Sequence, residues 1–148
     1  MLRPTKILVP TDFSDYSDKA LKQALDIAKQ YNAKVFLFHV IPREVNRCVA
    51  DVCLGDDVVR DLEDQLMTRA QENLQKQLGK FPHSQEVSVT TEIGKGIPYE
   101  AILQEAEDNG IDLIVIASLG RSGIARFLIG SVSRNVLKGA KCPVLLTK

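Results

Sequence analysis

The sequence predicts a single α/β domain: a doubly wound, five-stranded parallel sheet with helices on both faces. Three observations predict it. Short apolar runs alternate with segments of helical period along the whole chain. Two of those runs are apolar on both faces, as strands covered by helices on each side must be. The junctions between runs and helices carry proline, glycine or a capping residue. Parallel neighbours require right-handed crossovers, and the strand order expected from them is 3-2-1-4-5. With 148 residues the chain has the length of one domain, 1–148, burying roughly 70% of its unfolded surface.

The elements follow in order. Lys6-Ile-Leu-Val-Pro10 is a short buried strand, closed by proline and the turn-prone Thr11-Asp-Phe-Ser-Asp15. A helix starts there, with Ser14 or Asp15 as cap, Asp15 and Asp18 in its first turn, and Leu21, Ala24, Leu25 and Ala28 as its apolar stripe. Ala33 to Ile41 is the second strand, apolar on both faces, and Pro42 ends it. Residues 43 to about 56 have no clear period and read as a long surface loop.

From Asp57 to Gly79 apolar residues step by three or four, giving the longest helix. Glu86 to Ile93 alternates apolar and polar residues, which suits an edge strand with one wet face. Gly94-Lys-Gly-Ile-Pro98 reads as a turn before a helix that Pro98 starts and Gly110 closes. Ile111 to Ala117 is the next apolar strand. A glycine-bearing loop, a helix from about Ser131 to Gly139 and a last strand, Pro143 to Thr147, complete the chain.

Composition excludes several classes. Nineteen basic residues balance nineteen acidic ones, so no net field gathers nucleic acid or an anionic membrane. No apolar run approaches the ~18 residues of a membrane span, and the N-terminus lacks the pattern of a secretory signal. Three scattered cysteines suit a reducing compartment better than a disulfide framework, so the cytoplasm is expected. Cys48 and Cys53 lack the two-residue spacing of a metal knuckle. Cys142, before Pro143, reads as buried and inert. His39 lies in a central apolar strand and reads as a core histidine, while His83 is a loop residue.

The site-like chemistry concentrates where the fourth strand empties into Ala117-Ser-Leu-Gly-Arg-Ser-Gly123 and the helix after Gly130-Ser131 begins. A helix start presents unpaired N–H groups and the positive end of the dipole, which is how α/β proteins hold phosphate. Gly120, Gly123 and Gly130 do not spell the dinucleotide fingerprint, and no Gly-Lys-Ser/Thr makes a Walker A loop. Amides at Gly130, Ser131 and Val132, with the Ser131 hydroxyl donating or capping, can each contribute roughly 1.5–3 kcal/mol to an anion. In the expected strand order this segment meets Pro10-Thr-Asp12 at the switch point between the first and fourth strands. Arg121, Arg126, Arg134 and Lys138 add local positive charge that suits a triphosphate.

The spacing Ala117, two residues, Gly120, nine residues, Gly130-Ser131 resembles the G-x2-G-x9-G-S/T signature of the universal stress protein family. Lys6 to Ser14, Phe38 to Ile41, Gly96 to Ile102 and Ala140 to Leu145 resemble that family too, so the likeness spans nearly the whole chain. The resemblance implies an ATP or related adenine-nucleotide site, with Mg2+ accompanying the phosphates. Pro10, Thr11, Asp12 and Val40 would hold the adenosine end; Ala117, Gly120, Gly130, Ser131 and Val132, joined by Arg121, would meet ribose and phosphates. Ala117 departs from the signature, since alanine keeps the N–H but adds a methyl group and does not adopt positive φ cheaply.

No motif supplies an evident general base or a Walker-type Mg2+ seat, so slow hydrolysis is the most that is expected. The last strand would be an apolar, uncharged edge, which together with the resemblance implies a homodimer through residues 143–147. The competing reading is a nucleotide-free dimeric module that acts through protein partners. A phosphoacceptor receiver would need an aspartate where this chain has Ile93-Gly94, and a flavin carrier would need aromatic rings near the glycine loop.

Overall fold

The structure is a computed structural model that describes residues 2–42, 48–49, 52–120 and 129–148. Strands β1 (Lys6–Pro10), β2 (Lys34–Pro42), β5 (Val89–Gly96), β6 (Leu113–Ala117) and β7 (Val144–Thr147) form one sheet in the order β5-β2-β1-β6-β7. Every pairing in it is parallel. Counted along the sheet's own strands this is the expected 3-2-1-4-5. Helices α1 (Asp15–Tyr31), α2 (Asp56–Gly79), α3 (Pro98–Asp108) and α4 (Ser131–Gly139) supply the crossovers.

The period-two alternation within each central strand divides the core into two layers. Ile7, Val9, Val35 and Leu37 join Leu21, Leu25 and Leu74 from α1 and α2. Leu8, Phe36, Phe38 and Val40 join Ile102, Ala106 and Val136 from α3 and α4. β1 and β6 are buried along nearly their whole length because both faces are covered. Each fully buried leucine or isoleucine contributes about 1.5–3 kcal/mol, which is why apolar content alone marks these strands.

Local signals act as the sequence implies at α1. Ser14 caps it, its side chain accepting from the Ser17 N–H at 3.2 Å, and Asn32 closes it in the left-handed region. Three expectations need correction. The third sheet strand begins at Val89 and runs through Gly94 to Gly96, so the stretch read as a turn is strand paired with Val40–Pro42. Gly94 fits there because a Cβ would sit 2.6 Å from Cζ of Phe38: the missing side chain is space for a ring. Residues Pro82–Glu86, read partly as loop and partly as strand, form a 3-10 turn.

The third correction concerns residues 43 to 56. Within them β3 (Cys48–Val49) and β4 (Val52–Cys53) pair as a short antiparallel hairpin, with Cys48 opposite Cys53 in register. Cys53 is disulfide-bonded, against the expectation that the scattered cysteines suit a reducing compartment better than a disulfide framework, and Cys142 is free. Four intervening residues are the spacing of two facing hairpin positions, not of a metal knuckle. Cys142 is only partly buried, and burial raises its thiol pKa. Among the described residues no helix is long and apolar enough to cross a membrane.

Candidate functional site

β1 and β6 lie side by side at the centre of the sheet, yet β1 leads to a helix on one face and β6 to a helix on the other. Their exits therefore part and leave a crevice at the carboxyl edge. A cavity of about 530 Å³ occupies it, within the range of small-molecule sites. Pro10, Thr11, Asp12, Val40, Ala117, Gly120, Gly130, Ser131 and Val132 all line this one cavity, so β1, β2, β6 and α4 bring them together. Arg121 and Arg126 lie outside the described residues. Neither Arg134 nor Lys138 is among the lining residues, and the Arg134 guanidinium donates to the Ile129 carbonyl at 3.3 Å.

The head of α4 differs in detail from the expectation. Gly130 is the N-cap, and no side chain caps the helix, so the Ser131 hydroxyl does not have that role. The Gly130 N–H donates to the Ser118 carbonyl at 2.7 Å and is not open to a ligand. The first helical bond is Arg134 N–H to the Gly130 carbonyl. The amides of Ser131, Val132 and Ser133 are thus the three left without intrahelical partners, and all three residues line the cavity. The anion cradle moves one residue along the chain. Ser133, missed by sequence reading, also donates its hydroxyl to the Ala117 carbonyl at 2.6 Å, tying the exit of β6 to the head of α4.

The glycines act through space and not through backbone freedom. Gly130 has φ −58°, and neither it nor Gly120 is among the positive-φ residues. A Cβ on Gly120 would lie 2.7 Å from Oδ2 of Asp12, and one on Gly130 would lie 3.4 Å from the Ser118 carbonyl oxygen. Ala117 is the last residue of β6, in ordinary strand conformation and buried, so alanine is unstrained there.

On the opposite wall, Asp12 Oδ1 accepts from the Ser14 N–H at 3.0 Å. Thr11 lines the cavity, but its hydroxyl lies 2.8 Å from Oε1 of Gln77, so that group faces the interior. His39, expected as a core histidine, is half-buried and on the cavity wall; its Nδ1 is 2.8 Å from the Thr11 carbonyl and its ring lies 4.3 Å from that of Phe13. Phe38, Ile102 and Ile116 make the deeper wall apolar. Sequence reading had placed Ile102 in a buried stripe and in a segment resembling the family; that it also lines the cavity was not legible. Among the described residues no three histidine, cysteine, aspartate or glutamate side chains cluster as a metal site, and Asp12 is the carboxylate on the cavity wall.

Comparison with known proteins agrees with this architecture. A model of the universal stress protein family matches residues 4–148. A universal stress protein of Methanocaldococcus jannaschii is 38% identical over 144 residues, covering 97% of this chain and 81% of that one. The solved universal stress protein UspA from Lactobacillus plantarum superposes with a TM-score of 0.84 at 28% identity, covering all of both chains. A universal stress protein from Archaeoglobus fulgidus solved in complex with dAMP shares the fold, with a TM-score of 0.60 at 21% identity and coverage of 99% and 100%. The chain belongs to the universal stress protein family.

Proposed function

We propose that this member of a stress-response family binds ATP or a related adenine nucleotide in the crevice between β1 and β6, with slow hydrolysis at most. The observation that carries the reading is the set of amides at Ser131, Val132 and Ser133 that have no intrahelical partner among the described residues, at the positive end of α4 and on the wall of a nucleotide-sized cavity. Phosphates meet those amides; the purine takes the apolar slot of Phe38, Val40, Ile102 and Ile116; Asp12 accepts from ribose or base. Gly120 and Gly130 keep the crevice open beside Asp12 and Ser118. Arg121, outside the described residues, is assigned to the phosphate end on its place in the sequence alone.

The residues present fit such a ligand. Mg2+ bound with the phosphates would add positive charge there, and Asp12 is the described carboxylate near enough in the cavity to take part. The sequence carries no motif for a general base or a Walker-type Mg2+ seat, which is why fast turnover is not proposed. The dAMP complex of the Archaeoglobus fulgidus protein supports an adenine nucleotide as the ligand class. Denaturing the pure protein and analysing the released small molecules tests the reading: adenine nucleotide in near-stoichiometric amount supports it. Pure protein that releases none and takes up none from millimolar ATP with Mg2+ contradicts it.

A second reading is a nucleotide-free dimeric module acting through protein partners. β7 is an edge strand paired only to β6, and Leu145 on it is 37% exposed. An apolar, unblunted edge invites a second copy, so a homodimer through Val144–Thr147 belongs to both readings. No nucleic-acid or anionic-membrane partner is proposed, on the balance of charge; the cytoplasmic setting expected from three scattered cysteines has the disulfide at Cys53 against it.

A further inference from the structure

Gln77 is buried to 3% exposure near the end of α2, at a position of the helix that faces the interior with Ala70 and Leu74. Sixty-six positions away in sequence, its Oε1 accepts from the Thr11 hydroxyl at 2.8 Å. Its Nε2 donates to the Ser17 hydroxyl at 3.2 Å and to Oδ1 of Asp18 at 2.8 Å. The Thr11 oxygen in turn accepts the Phe13 N–H at 3.1 Å, and Ser17 donates to the Ser14 carbonyl at 2.8 Å. The carboxamide therefore reaches both ends of the Thr11–Asp18 turn, accepting at one and donating at the other. A carboxamide supplies both functions from one side chain.

What it holds is the turn forming the β1 wall of the crevice. Phe13 adopts φ 65°, a left-handed conformation that a bulky residue keeps only where its surroundings over-determine it. Those surroundings are the Thr11 oxygen on the Phe13 N–H, the His39 ring against the Phe13 ring, and Gln77 behind Thr11. We propose that Gln77 is a positioning residue for the nucleotide crevice: its carboxamide fixes the Thr11–Ser14 turn and thereby the direction in which Asp12 and the Pro10–Thr11 backbone face the ligand. The inference rests on the nucleotide reading above, and its test separates the two.

Gln77→Met keeps the volume and removes the hydrogen bonds; Gln77→Glu keeps the acceptor but places a carboxylate against Asp18. Leu74→Val, in the same helix but outside the network, serves as a control for stability alone. Amide exchange at Phe13 and Ser14 in nucleotide-free protein is expected to speed up about tenfold or more in both Gln77 variants and not in the control matched for melting temperature. ATP and adenosine affinity are expected to fall about tenfold, while inorganic tripolyphosphate, which needs only the head of α4, keeps its affinity. Unchanged exchange at Phe13 and Ser14 overturns the positioning role, whatever binds. Wild-type protein that takes up no ATP while the exchange result holds would overturn the nucleotide reading and leave the turn-positioning role standing. Equal loss for tripolyphosphate and adenosine would show a general loosening and overturn the proposal.

Discussion

At the scale of single residues, Gly130 and Ser133 separate binding from stability. Gly130 has φ and ψ open to any residue, and its Cβ position is crowded only by the Ser118 carbonyl at 3.4 Å. In Gly130→Val, ATP affinity is expected to fall about a hundredfold or more while the melting temperature of the apo protein stays within a few degrees of wild type. Calorimetric titration beside a thermal melt reads both. Ser133→Ala removes the 2.6 Å bond to the Ala117 carbonyl and leaves a buried acceptor unpaired, so denaturant unfolding should show a loss of about 1–3 kcal/mol. A change under a few tenths of a kcal/mol would show that water replaces the hydroxyl there. Sequence spacing pointed to Gly120 and Gly130, but it could not tell that glycine is needed for room and not for positive φ. Nor could it show that the Gly130 amide is spent on Ser118. Such facts depend on atoms brought from the next loop.

At the scale of elements, helix α3 and the edge strand β5 meet across two carboxyl groups. The pKa of Glu105 is raised to about 7, first by burial and then by the neighbouring Glu92 carboxyl, with Asn109 opposing. Its folded pKa thus lies above its unfolded value near 4.5. The native state holds more protons than the unfolded chain between those values, so this group's contribution to stability is present at low pH and falls as pH rises towards about 7. Glu105→Gln removes the titration. The difference in unfolding free energy, variant minus wild type, should therefore grow between about pH 5 and about pH 8. A difference that stays constant across that range would contradict the raised pKa of Glu105. The elements themselves were legible wherever period and punctuation agreed: the start of α1 and both ends of α4 and β6 lie within two residues of where their sequence patterns put them. Three places were not, and two of them show why. Gly94 to Gly96 looked like a turn because glycine spacing was read without the Phe38 ring that lies against Gly94. The Cys48–Cys53 hairpin was hidden because pairing of two-residue strands leaves no period to detect.

At the scale of the whole molecule, the strand order forces the two site segments together. Any permutation that separated β1 from β6 would dismantle the cavity, and the motif spacing would then mean nothing. The same order leaves β7 at an edge, where Leu145 is exposed and Val144 and Leu146 are half-buried. The homodimer proposed through β7 predicts that wild type sediments as a dimer at micromolar concentration and Leu145→Lys as a monomer with unchanged secondary structure; a monomeric wild type, or a variant that stays dimeric, contradicts that interface.

The central claim is that the crevice between β1 and β6 holds an adenine nucleotide on the amides at the head of α4. Equilibrium dialysis of the folded, nucleotide-stripped protein against ATP with Mg2+ tests it most directly. Saturable uptake of one nucleotide per chain with a dissociation constant in the micromolar range is the predicted result. No saturable uptake at millimolar ATP would contradict it.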